Sequence, residues 1–315
     1  MLCEKTIPVY PIGSLVPSTY RGSFSILRFE DSFPSAQGNV YAPHRHDLYE
    51  AFWITKGQGT LWVDSKAYAL CPPMLHFVSP GQVHAWKLDS PGSGFVLYLG
   101  GSFFASNAEN GSDPLELILL DILARGPIVS VPLERVAELT WFFHKLEEEF
   151  LCTTVDADAE AVLRAYFRLL LTAARRSISS AATAQVEDKK SISQLTQRFI
   201  HLVEKNFRES SSVTEYAISL NVTPSHLTQA IKRATGKAPG QIIRERIILE
   251  AERLLQYSNL STAEIAYQLE FDDPSYFSRF FKEHTGCSPS AFRSSFQTET
   301  SPAQIPAVEP SLSVR

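Results

Sequence analysis

Long hydrophobic runs are missing from this chain: no stretch of about 18 apolar residues occurs in its 315, and no basic segment leads into a short apolar one at its start. Membrane insertion and export are therefore not expected. Cysteine is scarce. Cys3, Cys71, Cys152 and Cys287 are the only four, too scattered for a zinc site or a disulfide framework, so a reducing cytoplasm is the expected location. Nor does charge of one sign accumulate, since 29 Lys and Arg stand against 34 Asp and Glu, a net −5. The rest is ordinary for globular domains, with 44% hydrophobic and 20% charged residues, and the length suffices for two domains with separate cores.

What the chain does have is a repeat. SVTEYAISLNVTPSHLTQAIKRATGKAP from Ser212 and STAEIAYQLEFDDPSYFSRFFKEHTGCSP from Ser261 are copies of each other. Residues from Pro224 to Pro239 and from Pro274 to Pro289 align at an offset of 50, while upstream of those prolines the offset is 49. The extra residue falls in a turn, as in a duplicated supersecondary unit. Ser212-x-x-Glu215 and Ser261-x-x-Glu264 predict capping boxes, each starting a helix. Thr223-Pro224 and Asp273-Pro274 then start a second helix, an N-cap oxygen followed by a proline whose missing amide hydrogen costs nothing there. Ala217 and Ala266 allow the paired helices to cross closely, and Gly236 and Gly286 end the second helix of each pair.

On the second helix of the first copy, Leu227, Ala230, Ile231 and Ala234 form the expected buried stripe, with Ser225, His226, Thr228, Gln229 and Lys232 facing outward. In the second copy the stripe is Phe277, Phe280 and Phe281, and the outward set is Ser275, Tyr276, Ser278, Arg279 and Lys282. One amphipathic helix with a polar face implies only solvation. Two copies at helix-turn-helix spacing imply a pair of surfaces that read double-stranded DNA.

These residues resemble the AraC/XylS type of transcription regulators, whose DNA-binding module joins two helix-turn-helix units through one long helix, here GQIIRERIILEAERLLQYS from Gly240. The likeness spans about residues 191–294 and is specific around IAYQLEFDDPSYFSRFFKEHTGCSPSAFR. It implies an activator that meets RNA polymerase. The family usually has Gly where this chain has Glu270. If that position takes a positive φ, Glu costs about 1 kcal/mol relative to Gly, and the second turn is expected to be altered. Residues 189–296 hold 14 Lys and Arg against 11 Asp and Glu. So small an excess means that affinity rests on placed contacts, weakened by salt, rather than on a broad field. Arg279 suits the bidentate edge of a guanine and Gln229 that of an adenine.

The first 110 residues read as all-β, with short apolar runs such as EAFWITKG and GFVLYLGG broken by Gly and Pro. Within them stand Gly38-x5-His44-x-His46-x3-Glu50-x6-Gly57 and Ser79-Pro80-Gly81-x2-His84. The spacing resembles the cupin barrel, departing from its second motif at Ser79 and Leu88. Positions 44, 46 and 50 share parity, so on one continuous strand they face one way, and His84 would join them from a facing strand. Such a set suits a borderline divalent ion, Zn, Fe, Mn or Ni. It equally suits the polar lining of a metal-free effector pocket, and no cofactor follows with certainty. Trp53, Trp62, Phe77 and Trp86 suggest an aromatic interior or plain core, and an enclosed effector would be small.

Two helical stretches follow, Leu133 to Leu151 and Asp158 to Ile178, which cover the barrel or, by the resemblance, form a homodimer contact. From Ser177 to Lys190 the sequence is small, polar and aperiodic, as in a linker. The expected architecture is multidomain: an all-β cupin-like effector-sensing barrel in 1–110, a helical dimerisation segment in 111–178, a linker in 179–190, an all-α double helix-turn-helix in 191–294 and a disordered tail in 295–315. The expected function is an effector-responsive, sequence-specific transcription regulator and not an enzyme. The competing reading is a metal-dependent cupin enzyme fused to a DNA-binding module.

Overall fold

A computed structural model describes residues 7–9, 24–32, 40–105, 113–123, 126–152, 158–182, 194–210 and 212–298. It divides into two compact units whose main segments are Val9–Glu187 and Asp188–Ile305. Among the described residues no helix is long and apolar enough to cross a membrane.

The first unit holds one antiparallel sheet. Strands β1 (Phe24–Arg28), β2 (Val40–His44), β3 (Tyr49–Val63), β4 (Lys66–Ala69), β5 (Met74–Val78), β6 (His84–Leu99) and β7 (Ile128–Ser130) take the order β1-β6-β3-β5-β7, with β2 on β6 and β4 on β3. A short helix, α1 (Phe29–Ser32), follows β1, and α2 (Gly101–Ala105), α3 (Pro114–Leu123), α4 (Leu133–Leu151) and α5 (Ala159–Ala182) follow the long strands.

The ribbon of β3 and β6 sets the shape. It pairs from Tyr49 with Leu99 to Val63 with His84. In a straight strand Glu50 and Val63 would stand roughly 40 Å apart, at about 3.3 Å per residue. Yet His84, the partner of Val63, brings its Nε2 within 3.2 Å of Glu50 Oε2. The ribbon therefore folds over on itself, and the register irregularities between Ile54 and Gly59 mark the bend. Two glycines permit it: a Cβ on Gly59 would lie 2.1 Å from the Lys87 carbonyl oxygen, and one on Gly94 only 1.8 Å from that of Trp53.

Strand alternation divides the core. Phe52 and Ile54 turn inward with Val78, Trp86, Leu88, Val96 and Tyr98, whereas Ala51 and Trp53 face the helices, packing with Phe143 and Leu146 of α4 and Phe167 and Leu171 of α5. Of the four aromatics expected inside, only Trp86 belongs to the inner cluster. Trp53 stacks on Phe143 and donates its Nε1–H to Thr140 Oγ1 at 3.0 Å; Phe77 lies on the same helix-facing side, and Trp62 is half-buried. Trp53 and Phe77 are plain core.

Three expected boundaries shift. The sheet recruits β7 from beyond residue 110, because Met74, Leu75 and His76 of β5 leave an edge that Ile128–Ser130 completes. The stretch from Ser177, read as linker, is helical to Ala182: Ser177 is buried and its hydroxyl donates to the Ala173 carbonyl, and alanine-rich sequence is a good helix former. The tail read as disordered from 295 is helical to Thr298. Residues 183–190 and 299–315 lie outside the described residues.

Among its described residues the second unit has helices as its only regular elements: α6 (Gln194–Asn206), α7 (Val213–Ser219), α8 (Pro224–Thr235), α9 (Pro239–Tyr257), α10 (Thr262–Gln268), α11 (Pro274–Thr285) and α12 (Pro289–Thr298).

Candidate DNA-reading helices and a histidine–glutamate cluster

Both copies of the repeat start their second helix as the sequence dictates. Thr223 Oγ1 accepts from the His226 amide, Asp273 accepts from the amides of Ser275 and Tyr276, and each helix ends on a left-handed glycine, Gly236 at φ 75° and Gly286 at φ 84°. Those amides, opposed by partial desolvation and helped by Arg279, hold the Asp273 carboxyl below the usual range. The leading helices differ in their caps. Ser261 and Glu264 form the reciprocal box, but Ser212 accepts from the Thr214 amide while the Glu215 carboxylate takes a hydrogen bond from the Ser210 hydroxyl. The expected capping box of the first copy is thus replaced by a neighbour that reaches Glu215 first.

The turns begin alike, and the second then runs one residue longer before its proline. Asn221 at φ 56° and Glu270 at φ 61° occupy corresponding places, and in each case the next amide, of Val222 or Phe271, donates to the buried alanine, Ala217 or Ala266, at 3.0 and 2.9 Å. The altered second turn expected from Glu270 does not occur. The left-handed conformation is imposed by this hydrogen bond and by Phe271 packing on Phe277, and Glu adopts it at a cost.

Leu227 and Ile231 of α8, and Phe277 and Phe281 of α11, are buried. Ala230 and Phe280 are half-buried, and Ala234 is exposed, so the stripe narrows toward the end of α8. Of the outward residues, Ser225, His226, Gln229, Lys232, Ser275, Tyr276, Arg279 and Lys282 are exposed, and Thr228 and Ser278 half-exposed. The Ser278 hydroxyl donates to the Pro274 carbonyl at 2.9 Å, so in this rotamer its proton is committed to its own helix.

One cluster was not legible beforehand. Glu250, 1% exposed on α9, accepts from Arg208, Arg246 and Arg253 at 3.0 to 3.2 Å, while Arg246 also donates to Glu204 and lies 3.9 Å from the Phe207 ring centroid. Arg246 and Arg208 therefore hold α9 to α6 and its following turn, and Arg253 is paired within α9, leaving fewer cations for phosphates.

In the first unit the four residues singled out by spacing do converge, though not on one strand. His44 ends β2, a bend at Asp47 and Leu48 follows His46, and Glu50 is the second residue of β3. His44 and His84 are cross-strand partners, and the ring centroids of His44, His46 and His84 lie within 5.2 Å of one another. Glu50 stands 3.4 Å from His46 Nε2 and 3.2 Å from His84 Nε2, with all three side chains at most 2% exposed. Burial pushes the Glu50 carboxyl up, but His46 and His84 outweigh it and hold it at about 2. Burial, then the neighbouring imidazoles, keeps His44 well below its ordinary value. His76 was missed. It pairs with Phe52 across β3 and β5, so strand parity would have placed it on the Glu50 side. Its Nδ1 donates to the Pro127 carbonyl, its Nε2 has no partner among the described residues, and burial holds it at about 3. Tyr98 is raised by burial and by the Glu50 charge.

Comparison with known proteins assigns both units. The profile of the AraC-like ligand binding domain matches residues 32–195, and that of a helix-turn-helix domain matches residues 216–295. The chain belongs to the AraC/XylS-type family of transcription regulators. The sheet unit of this family member is its ligand-binding part, and the helical unit its DNA-binding part. Similar proteins include the HTH-type transcriptional activator RhaS of Salmonella schwarzengrund, 22% identical over 289 residues that cover 85% of this chain and 97% of that one. The HTH-type transcriptional regulator YfiF of Bacillus subtilis is 22% identical over 259 residues, 81% of this chain and 79% of its own. The activator AarP of Providencia stuartii is 34% identical over 91 residues, 29% of this chain and 67% of its own.

Proposed function

We propose that this chain is a cytoplasmic, homodimeric transcription activator that lays α8 and α11 into successive major grooves of double-stranded DNA and is switched by a small effector held in the folded-over sheet. The observation that carries the reading is the duplication itself: two capped helices, each buried through one apolar stripe, present exposed polar side chains at matching positions. The intervening α9 has 19 residues, about 28 Å of stiff helix at 1.5 Å per residue. That length suits two helices reading grooves about 34 Å apart. Arg279 is assigned to a guanine edge and Gln229 to an adenine, with Lys232 and Lys282 on phosphates.

Dimerisation is supported by α4 and α5, where Trp141 and Leu169, both away from the helix ends, are 49% and 50% exposed, beside the terminal Leu133 and Leu151 of α4 at 79% and 64%, an anomaly for large apolar side chains. Burying those two side chains against a second copy removes the anomaly and pairs two DNA-binding modules, multiplying affinity through effective concentration. The effector acts by linkage: it shifts the population toward whichever arrangement it binds more tightly. Activation through contact with RNA polymerase follows the family likeness and the activators RhaS and AarP.

The test is fluorescence anisotropy on operator duplexes selected from a random pool. Arg279→Ala should erase discrimination at one base pair, about 1–3 kcal/mol, while Lys282→Ala weakens all sequences alike and lowers the salt slope by about one. Unchanged affinity and selectivity in both variants contradict the assignment.

A further inference from the structure

The second unit holds a cleft of its own. About 640 Å³ of space opens between the turn after α6, the first half of α9 and the turn that joins α10 to α11. Gly240, Ile243, Arg244 and Ile247 line it at intervals of three and four, so a single face of α9 supplies one wall. Leu269 and three aromatic rings supply another. The Phe271 ring lies 5.9 Å from that of Tyr276 and 5.3 Å from that of Phe280, centroid to centroid, which makes the aromatic wall continuous. A pocket of about 300–1,000 Å³ with an apolar lining and a few polar points has the build of a small-molecule site.

The polar points divide by whether they are already engaged. Arg208 pairs with Glu250, and the Asp273 carboxylate accepts from the amides that open α11. The Arg244 guanidinium and the carboxylates of Glu270 and Asp272 make no hydrogen bond or ion pair among the described residues. An exposed charge without a partner is ordinary on a surface. These three instead line one aromatic-walled cleft, a cation and two carboxylates that do not reach each other. Glu270 supplies a second observation. It holds a left-handed φ of 61°, where a side chain is strained, and such strain collects at functional sites. The first copy meets the same geometry with Asn221, which tolerates the region and brings no charge. The turn asks for no carboxylate, whereas the cleft gives one a use.

A ligand that engages all three charges needs an ammonium for Glu270 and Asp272, a carboxylate for the Arg244 fork and an apolar body for the rings between. A simple amine is repelled by Arg244. A simple acid, or a DNA phosphate, suits Arg244 but meets Glu270 and Asp272 as like charges. We propose that this cleft binds a zwitterionic amino acid or short peptide with a large apolar side chain, its carboxylate on Arg244 and its ammonium on Glu270 and Asp272. The consequence for regulation rests on the assignment of α11 as a reading helix. An occupant that ties α9 to the turn before α11 steadies that helix for its groove, a direct input beside the effector of the first unit.

The experiment follows the calorimetric transitions of the full-length protein as L-phenylalanine or L-leucyl-L-phenylalanine is added. The midpoint of the second unit should rise with either, since only the native state binds. N-acetyl-L-phenylalanine lacks the ammonium and L-phenylalaninamide lacks the carboxylate; each should bind about tenfold more weakly or worse, and glycine should have no effect. Glu270→Gln and Arg244→Gln should each weaken L-phenylalanine by about the same factor. Arg244→Gln should cost the amide nothing further, and Glu270→Gln the N-acetyl form nothing further. The analogue series is read on the wild-type chain, so a variant that fails to fold leaves the test standing. No shift with either zwitterion, equal shifts with the singly charged analogues, or a response undiminished in both variants overturns the proposal. Operator anisotropy on the same samples should tighten about fivefold at saturation, and unchanged affinity there overturns the regulatory consequence. Absent ligand response with intact operator binding defeats the cleft site alone, whereas ligand binding without operator binding defeats the regulator reading.

Discussion

Replacing Glu270 by glycine should stabilise the DNA-binding unit. Glu270 sits at φ 61° in the turn before α11, a conformation in which a Cβ crowds the following carbonyl at a cost of about 1–2 kcal/mol. Glycine relieves that crowding but gives the unfolded chain more freedom, offsetting about 0.5–1 kcal/mol. The side chain forfeits little, since Glu270 is exposed and its carboxylate makes no hydrogen bond or ion pair among the described residues, while its amide bond to the Tyr267 carbonyl does not depend on the side chain. A net gain of about 0.5–1 kcal/mol remains, worth roughly 2–6 °C in the midpoint of a unit this size. Scanning calorimetry of the full chain reads it directly, because the shift should fall in one transition of the two-unit chain and leave the other unmoved. Two controls isolate the cause. Glu270→Ala keeps the Cβ and should gain nothing, and Asn221→Gly should gain only a few tenths of a kcal/mol because Asn tolerates this region. A midpoint lowered by Glu270→Gly, or raised equally by Glu270→Ala, refutes the argument from backbone strain.

Other outcomes follow from the same coordinates. Glu250→Ala strands buried Arg246 and Arg253 without their shared carboxylate and should cost about 3 kcal/mol in urea denaturation of the second unit; a loss under about 1 kcal/mol contradicts the account of that network. Gly94→Ala would drive a methyl group into the Trp53 carbonyl and should cost on the order of 2 kcal/mol or more, read as a lower midpoint for the first unit alone. Acid should destabilise that unit early. His76, held at about 3 in the fold and near 6.5 when unfolded, favours the folded state above pH 6.5, and this contribution is lost as pH falls toward 3. Glu50, held at about 2, adds a further loss between its ordinary range and pH 2. A thermal midpoint independent of pH from 7 to 4 would show that these groups are not buried as described.

Local chemistry made the second unit legible. N-caps, prolines at the first helical position and glycine C-caps act within four residues, so Thr223, Asp273, Gly236 and Gly286 announced their elements from sequence alone. The Glu250 network could not be read, because Glu204 and Arg246 meet only when helices 42 residues apart in sequence are laid together. In the first unit the spacing of His44, His46 and Glu50 brought forward side chains that do meet, but for an incomplete reason. They converge across a bend and a strand pairing rather than along one strand. Parity counted from Glu50 would have sent Trp53 to the opposite face. The three-residue strand β7 carries too little pattern to be seen at all. The helix beyond Ser177 was hidden by a composition that small residues share between linkers and helices.

Hydroxyl-radical footprinting of the full chain on a selected operator tests the central claim most directly. The account predicts two protected patches per protomer on one face of the duplex, centred about 10–10.5 base pairs apart, with Gln229→Ala altering one and Arg279→Ala the other. A single patch, or two that neither substitution changes, contradicts the assignment of α8 and α11 as paired reading helices.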